Sequence, residues 1–243
     1  MRHIALEIAY DGSRYSGWQI QKNAVTIQGI IEETLGELTQ EKVRLSVAGR
    51  TDARVHAVGQ IASFHSNLSL SVEQLHRALN SMLPKDIRIY RVFEVSADFH
   101  PRYSAKRRWY RYIISNVPVL VPFLKNYALW VRRSIQLELL NGYAKRIVGC
   151  HNFTSFASIE EEEVPVREVY HCTFSRSADF VILDVVANSF LRKMVRTIVG
   201  TFLELEKQDA QPERVDEMIR ARDRSVAGMT AYPFGLYLMK VFY

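Results

Sequence analysis

Apolar and polar positions alternate from residue 3 to residue 10, with Ile4, Leu6 and Ile8 on one side, and the alternation stops at Asp11-Gly12. That is a strand closed by a turn pair. Ile27, Ile30, Ile31, Leu35 and Leu38 then recur at helical spacing, which predicts an amphipathic helix over 26–39. Two strands follow, at 43–47 and 58–64, with a polar run between them. Ser71-Val72-Glu73-Gln74 fits a capping box, and Val72, Leu75, Leu79 and Met82 form the apolar stripe of a second helix that Pro84 helps to end. Residues 87–95 read as a strand. The order is β-α-β-β-α-β.

The second half repeats that order. Residues 106–115 alternate, 116–122 is rich in breakers, and Leu137, Leu140, Ala144 and Ile147 mark a helix over 134–148. Strands at 166–175 and 179–187 are joined by Arg176-Ser177-Ala178, which reads as a hairpin turn. A long helix over 189–206 carries Leu191, Met194, Val195, Ile198, Phe202 and Leu205; on it Arg192 and Arg196 stand at i, i+4. Pro212 suits the first turn of a further helix, and 236–242 closes the chain as a strand. The expected fold is α+β: two tandem ferredoxin-like subdomains, 1–103 and 104–243, with antiparallel sheets, helices on one face and a cleft between the halves as the binding site.

The 243 residues include 32 Lys and Arg against 26 Asp and Glu, a net charge of +6 that is compatible with a polyanionic partner. The distribution is more telling. Arg102, Lys106, Arg107, Arg108 and Arg111 are interleaved with Tyr103, Trp109, Tyr110 and Tyr112. Cations neutralise phosphates and aromatic faces stack bases, although a solvated strand with its aromatics turned to a core would look the same. No apolar run is long enough to span a membrane, no secretory leader is evident, and two Cys imply no disulfide framework, so a reducing cytoplasm is expected. Cys150-His151 and His171-Cys172 lack zinc-ligand spacing, and neighbours on a strand point to opposite faces; no metal site is expected. The acidic run from Glu160 to Glu163 reads as a solvated loop.

The densest chemistry lies in Ala48-Gly49-Arg50-Thr51-Asp52-Ala53-Arg54-Val55-His56, between two strands. A loop anchored in sheet at both ends can present a carboxylate rigidly, with a cation beside it to keep it ionised. A charged β-β connection is the plainer account. A Ser/His/Asp triad would need a nucleophile that the sequence does not mark. Arg196 on the long helix can clamp a carboxylate bidentately.

Taken in order, these residues resemble the bacterial tRNA pseudouridine synthase A family. The resemblance covers nearly the whole chain: Tyr10-Asp11-Gly12 with Gly17-Trp18-Gln19, then the Ala48 to His56 run. Phe99-His100-Pro101-Arg102-Tyr103-Ser104-Ala105 and Tyr110-Arg111-Tyr112 follow. The set ends with His151-Asn152-Phe153-Thr154-Ser155-Phe156, Met194-Val195-Arg196-Thr197-Ile198-Val199-Gly200 and Gly235-Leu236-Tyr237-Leu238. The resemblance implies isomerisation of uridine to pseudouridine at positions 38, 39 and 40 of the tRNA anticodon stem-loop by a cytoplasmic homodimer that needs no cofactor or metal. It implies Asp52 as catalytic Asp, Tyr110 as active-site Tyr and Arg196 as the Arg paired with the Asp. Arg50 would extrude and hold the base, and Leu236 would pack in the pocket. Arg54, Lys106, Arg107 and Arg108 are added as substrate contacts. Two other readings follow from the same residues: a non-catalytic RNA-binding module of RRM order, without an RNP1-like segment, and a pseudouridine synthase acting at other RNA positions.

Two departures from the family pattern stand out. Arg54 occupies a position usually held by Gly, which is costly if the backbone there needs a positive φ. The segment Met229-Thr230-Ala231-Tyr232-Pro233-Phe234 lacks the usual small-residue and Pro pattern.

Overall fold

The computed structural model describes residues 1–159 and 163–243. The chain divides into two compact units, Met1–Lys106 with Tyr237–Tyr243, and Arg107–Leu236. Each combines strands with helices, so the fold is of the α+β kind. Of the acidic run, Glu160 to Glu162 lie outside the described residues; Glu163 pairs with Arg167 at 2.9 Å.

The first unit contains β1 (Arg2–Tyr10), α1 (Ile27–Thr39), β2 (Ser46–Val47), β3 (His56–Ser66), α2 (Val72–Met82) and β4 (Ile87–Glu94). β1 is antiparallel to β3 on one side and to β4 on the other, and Ile4, Ala5, Leu6 and Ile8 are fully buried. The strand expected at 43–47 contracts to β2. The Leu45 amide, which a ladder would have used, donates to Glu32 Oε1 of α1 at 2.9 Å instead. The capping box of α2 forms as read: Ser71 Oγ accepts from the Gln74 amide at 3.2 Å, and Gln74 Oε1 accepts from the Ser71 amide at 2.8 Å. Its stripe ends differently. Met82 is the last helical residue and is exposed, and Leu83 turns into the core in its place.

The second unit contains β5 (Arg107–Ser115), β6 (Leu129–Trp130), α3 (Leu137–Arg146), β7 (Gly149–Asn152), β8 (Val166–Ser177), β9 (Phe180–Ala187), α4 (Met194–Lys207) and α5 (Glu213–Ala221). The order β5-β9-β8-β7 is antiparallel throughout, and β6 joins β5 in parallel. Because β8 runs on to Ser177, the hairpin turns at Ala178, whose φ is +47°. α4 begins at Met194 rather than 189, because Lys193 takes a φ of +63°. Arg192 therefore precedes the helix, and the i, i+4 relation with Arg196 does not hold. On β8, His171 is exposed and Cys172 is buried, as alternation requires.

The last strand, β10 (Leu236–Phe242), runs parallel to β3, with Tyr237 opposite His56 and Leu238 opposite Ala57. The chain end thus belongs to the first unit, whereas the sequence reading kept it in 104–243. A parallel pairing between segments so far apart leaves no local trace. The same strand and β6 depart from the all-antiparallel expectation. Among the described residues, no helix is long and apolar enough to cross a membrane.

Candidate active site

In the first unit the loop from Ala48 to Val55 continues from the sheet and is fixed from behind. The Ala48 amide donates to Ile61 O at 2.9 Å, and Gln60 Nε2 donates to Gly49 O at 2.7 Å. The Tyr10 hydroxyl and Thr51 Oγ1 lie 2.7 Å apart in the interior, where Gln60 is fully buried. Burial pushes the Tyr10 phenol up to about 12, with the Thr51 and Gln60 hydrogen bonds pulling the other way. The loop after β1 supplies the second brace. The Trp18 amide donates to Thr51 O at 3.1 Å, and the Arg54 amide to Tyr15 O at 3.2 Å. Between them Asp52 is half-buried, and its own carbonyl accepts from the Val55 amide at 3.2 Å. The backbone on each side of the carboxylate is thereby held, as a carboxylate with a chemical task requires.

His56 is buried under the loop. Its Nδ1 lies 3.1 Å from the Gly12 amide and 3.2 Å from Asp11 Oδ1, so it accepts from the first or donates to the second. Its ring stacks on Tyr237 at 4.7 Å. These contacts make it a structural residue. Arg50 and Arg54 are exposed on the same loop.

Arg54 has a φ of +64°. The position does use the left-handed region that glycine favours, and the Arg side chain tolerates it at a cost of about 1–2 kcal/mol. Arg54→Gly should therefore fold and keep its activity, with stability within about 1 kcal/mol of the parent, as strain relief and unfolded-chain entropy offset each other. If the guanidinium meets a phosphate, tRNA affinity falls and the slope of log K against log salt drops by about 1. Chemical denaturation and a salt titration of tRNA binding check both points; loss of folding would contradict this account of the loop.

In the second unit, alternation along β5 sorts the basic and aromatic run into two faces. Tyr110 and Tyr112 are buried, while Trp109 and Arg111 lie on the other face, where both bind Asp184: Trp109 Nε1 at 2.6 Å and Arg111 through two bonds at 3.0 and 2.9 Å. Tyr110 meets Phe190 edge to face at 5.0 Å. Arg108 differs from expectation. It is 7% exposed and donates to Asn188 O at 2.6 Å, so its guanidinium serves the fold rather than an open phosphate surface. Lys106 and Arg107 are exposed, Arg107 over the Tyr170 ring at 4.9 Å.

Arg196 lies in the first turn of α4 and is tied to the segment before β10. Its Nε donates to Ala231 O at 2.8 Å, and its carbonyl accepts from the Ala231 amide at 3.0 Å. The Tyr112 hydroxyl donates to Tyr232 O at 2.6 Å. Burial raises the Tyr112 phenol well above its usual range, and the nearby Arg196 guanidinium opposes that rise. Close approach explains Gly200: a Cβ there would lie 1.8 Å from Met229 O. Arg196, Tyr112 and the 231–236 segment thus converge, with Leu236 buried at its end.

Tyr10 and Tyr112 stand in the quoted motifs without a supporting role being read for them, and Gln60 was given no role at all. Gln60 left one signal, a polar side chain inside the strand Val58-Gly59-Gln60-Ile61-Ala62-Ser63-Phe64, which demands a partner when buried.

The sequence profile of the family described as tRNA pseudouridine synthase matches residues 7–104 and 143–243. A protein of Thermoanaerobacter sp. (strain X514) called tRNA pseudouridine synthase A is 40% identical over 244 residues, covering all of both chains. The one of Exiguobacterium sp. (strain ATCC BAA-1283 / AT1b), with the same name, is 42% identical over all of this chain and 98% of its own. That of Thermotoga neapolitana, again so named, is 39% identical over the full length of both. The chain belongs to the tRNA pseudouridine synthase family. It is therefore an isomerase acting on tRNA.

Proposed function

We propose that this enzyme converts uridine to pseudouridine at positions 38, 39 and 40 of the tRNA anticodon stem-loop, with Asp52 as nucleophile or base. The observation that carries the proposal is the braced loop around Asp52, which fixes a half-buried carboxylate from behind through Thr51, Gly49 and Val55. In the reaction the N1–C1′ bond breaks and a C5–C1′ bond forms. The proton leaves C5 and N1 ends protonated, so no atom is gained or lost. An ionised carboxylate at neutral pH can attack C1′ or C6, or remove a sugar proton. Tyr110 offers a ring face to the base and a hydroxyl for the proton at C5, and Arg196 pairs with the carboxylate. Arg50 holds the extruded base, Leu236 packs against it, and Arg54, Lys106 and Arg107 contact phosphates. Extrusion of a stacked base costs a few kcal/mol, which such backbone contacts offset.

The same reading takes the enzyme as a cytoplasmic homodimer that works without cofactor or metal. It takes the chain as two ferredoxin-like subdomains, with the chain end from Tyr237 onward joined to the first; the order of β1, α1, β2, β3, α2 and β4 supports the first of them. A two-tyrosine, RRM-like stacking surface finds no support, because Tyr112 is fully buried.

The test is incubation with uridine-labelled tRNA and no added metal. Product at 38–40 that disappears when those uridines are replaced is the expected result; product that persists moves the target elsewhere. Tyr110→Phe should lower kcat by about 10²–10³-fold with little change in KM, if the hydroxyl carries the proton. An unchanged kcat in single-turnover assays would restrict Tyr110 to holding the base.

A further inference from the structure

The segment that departs from the family pattern carries an aromatic pair in the open. Tyr232 and Phe234 stack with ring centroids 5.3 Å apart and planes within 12°, and Tyr232 is 64% exposed. Neither ring is needed by the core in the way that Tyr112 is, yet the backbone beneath them is held at every step. Ala231 exchanges two hydrogen bonds with Arg196, and the Tyr232 carbonyl accepts from the buried Tyr112 hydroxyl. Pro233 fixes its own φ at the start of the 3-10 turn Pro233–Gly235. Arg224 secures the preceding residues through Ala227 O at 3.1 Å, Gly228 O at 3.0 Å and Thr230 Oγ1 at 3.3 Å. A stiff backbone that presents a supported, exposed ring is the construction of a stacking platform. The ring loses little freedom on binding because Phe234 already backs one face.

We infer that the free face of Tyr232 stacks an unpaired nucleobase of the tRNA substrate, one that neighbours the uridine being isomerised. The occupant follows from position. The pair sits between Ala231, which is bonded to Arg196, and Leu236; Arg196 is assigned above to the catalytic carboxylate and Leu236 to the extruded base, and the inference rests on that assignment. Stacking is indifferent to base identity, so the platform widens the range of sequences accepted beside the target and adds affinity without reading a letter. Because the contact is apolar, it adds no salt dependence.

Steady-state kinetics on unmodified tRNA transcripts test this. Tyr232→Ala should raise KM about tenfold with kcat within about twofold, and the slope of log KM against log salt should stay that of the parent. Tyr232→Phe, which keeps the ring, should match the parent. With 2-aminopurine placed in turn at the anticodon-loop positions, the parent should quench one of them and Tyr232→Ala should not. An unchanged KM in Tyr232→Ala overturns the inference. So does a fall in kcat alone, which would make the ring a brace for Arg196. A shift from dimer to monomer in sedimentation would assign the pair to contacts between copies and overturn it equally. Pseudouridine mapping of the same reactions scores the target positions separately: product outside the anticodon arm would remove that reading, while the KM comparison still decides the stack.

Discussion

Asp52→Ala is expected to lower pseudouridine formation by more than about 10⁴-fold while tRNA affinity stays within about threefold of the parent. The two halves of that expectation have separate physical grounds. The side chain lost is the only carboxylate on the loop between Ala48 and His56, so no other carboxylate of that loop can take over attack or proton removal. The loop itself is held by other atoms. Thr51 Oγ1 meets the Tyr10 hydroxyl, Gly49 O accepts from Gln60, and the Asp52 carbonyl bonded to Val55 belongs to the backbone. Truncation at Cβ therefore leaves the loop in place, and a half-buried side chain of this size leaves no cavity that the fold must close. Removal of a negative charge from a surface that meets a polyanion does not weaken the electrostatic part of binding. Asp52→Asn separates charge from shape: it keeps the volume and should be as inactive as Asp52→Ala. Single-turnover assays with saturating enzyme, beside a filter-binding titration, read both quantities. Substantial turnover by either variant would remove Asp52 from the chemistry, and an equal loss of binding would make it a recognition residue.

Much of the fold was legible wherever one residue decides one feature. The capping box at Ser71 and Gln74, the strand β1 that stops before Asp11, and the bounds of β10 are local statements, and they appear in the structure where the pattern put them. What was not legible depends on partners distant in sequence or on single backbone angles. β2 shortens because Glu32 takes the Leu45 amide, α4 starts late because Lys193 is left-handed, and β10 finds β3 by a parallel pairing across most of the chain. The site divides the same way. Asp52 and Arg50 stood out because charge was concentrated between two strands. Tyr10 and Gln60, which hold that loop, did not, because a hydrogen-bond partner inside a core looks like any polar residue in a strand. The inward turn of Arg108 was not legible, because a run of basic residues does not say which of them the pleat turns inward.

Gly17→Ala should be a damaging change outside the reacting groups, with about 2–4 kcal/mol of lost stability and about 10²-fold of lost turnover. Two terms act together. Gly17 has a φ of +92°, in the region where an L side chain is strained. A Cβ there would also stand 2.7 Å from Thr51 O and 3.1 Å from the Ala53 amide and the Asp52 carbonyl carbon, all of them backbone atoms that cannot rotate away. The only relief is movement of the loop, and the loop carries Asp52. Displacement of order 1 Å at a reacting carboxylate accounts for the loss of rate, and Trp18, whose amide holds Thr51 O, would be pulled from its bond by the same movement. tRNA binding should fall far less than turnover, because the exposed cations lie on other segments or at the loop surface. A thermal melt, a binding titration and single-turnover rates on one preparation distinguish the outcomes. Lost stability with a normal rate in the folded fraction would mean that the loop absorbs the methyl without moving Asp52. Its brace would then be looser than the contacts through Thr51, Tyr15 and Trp18 require.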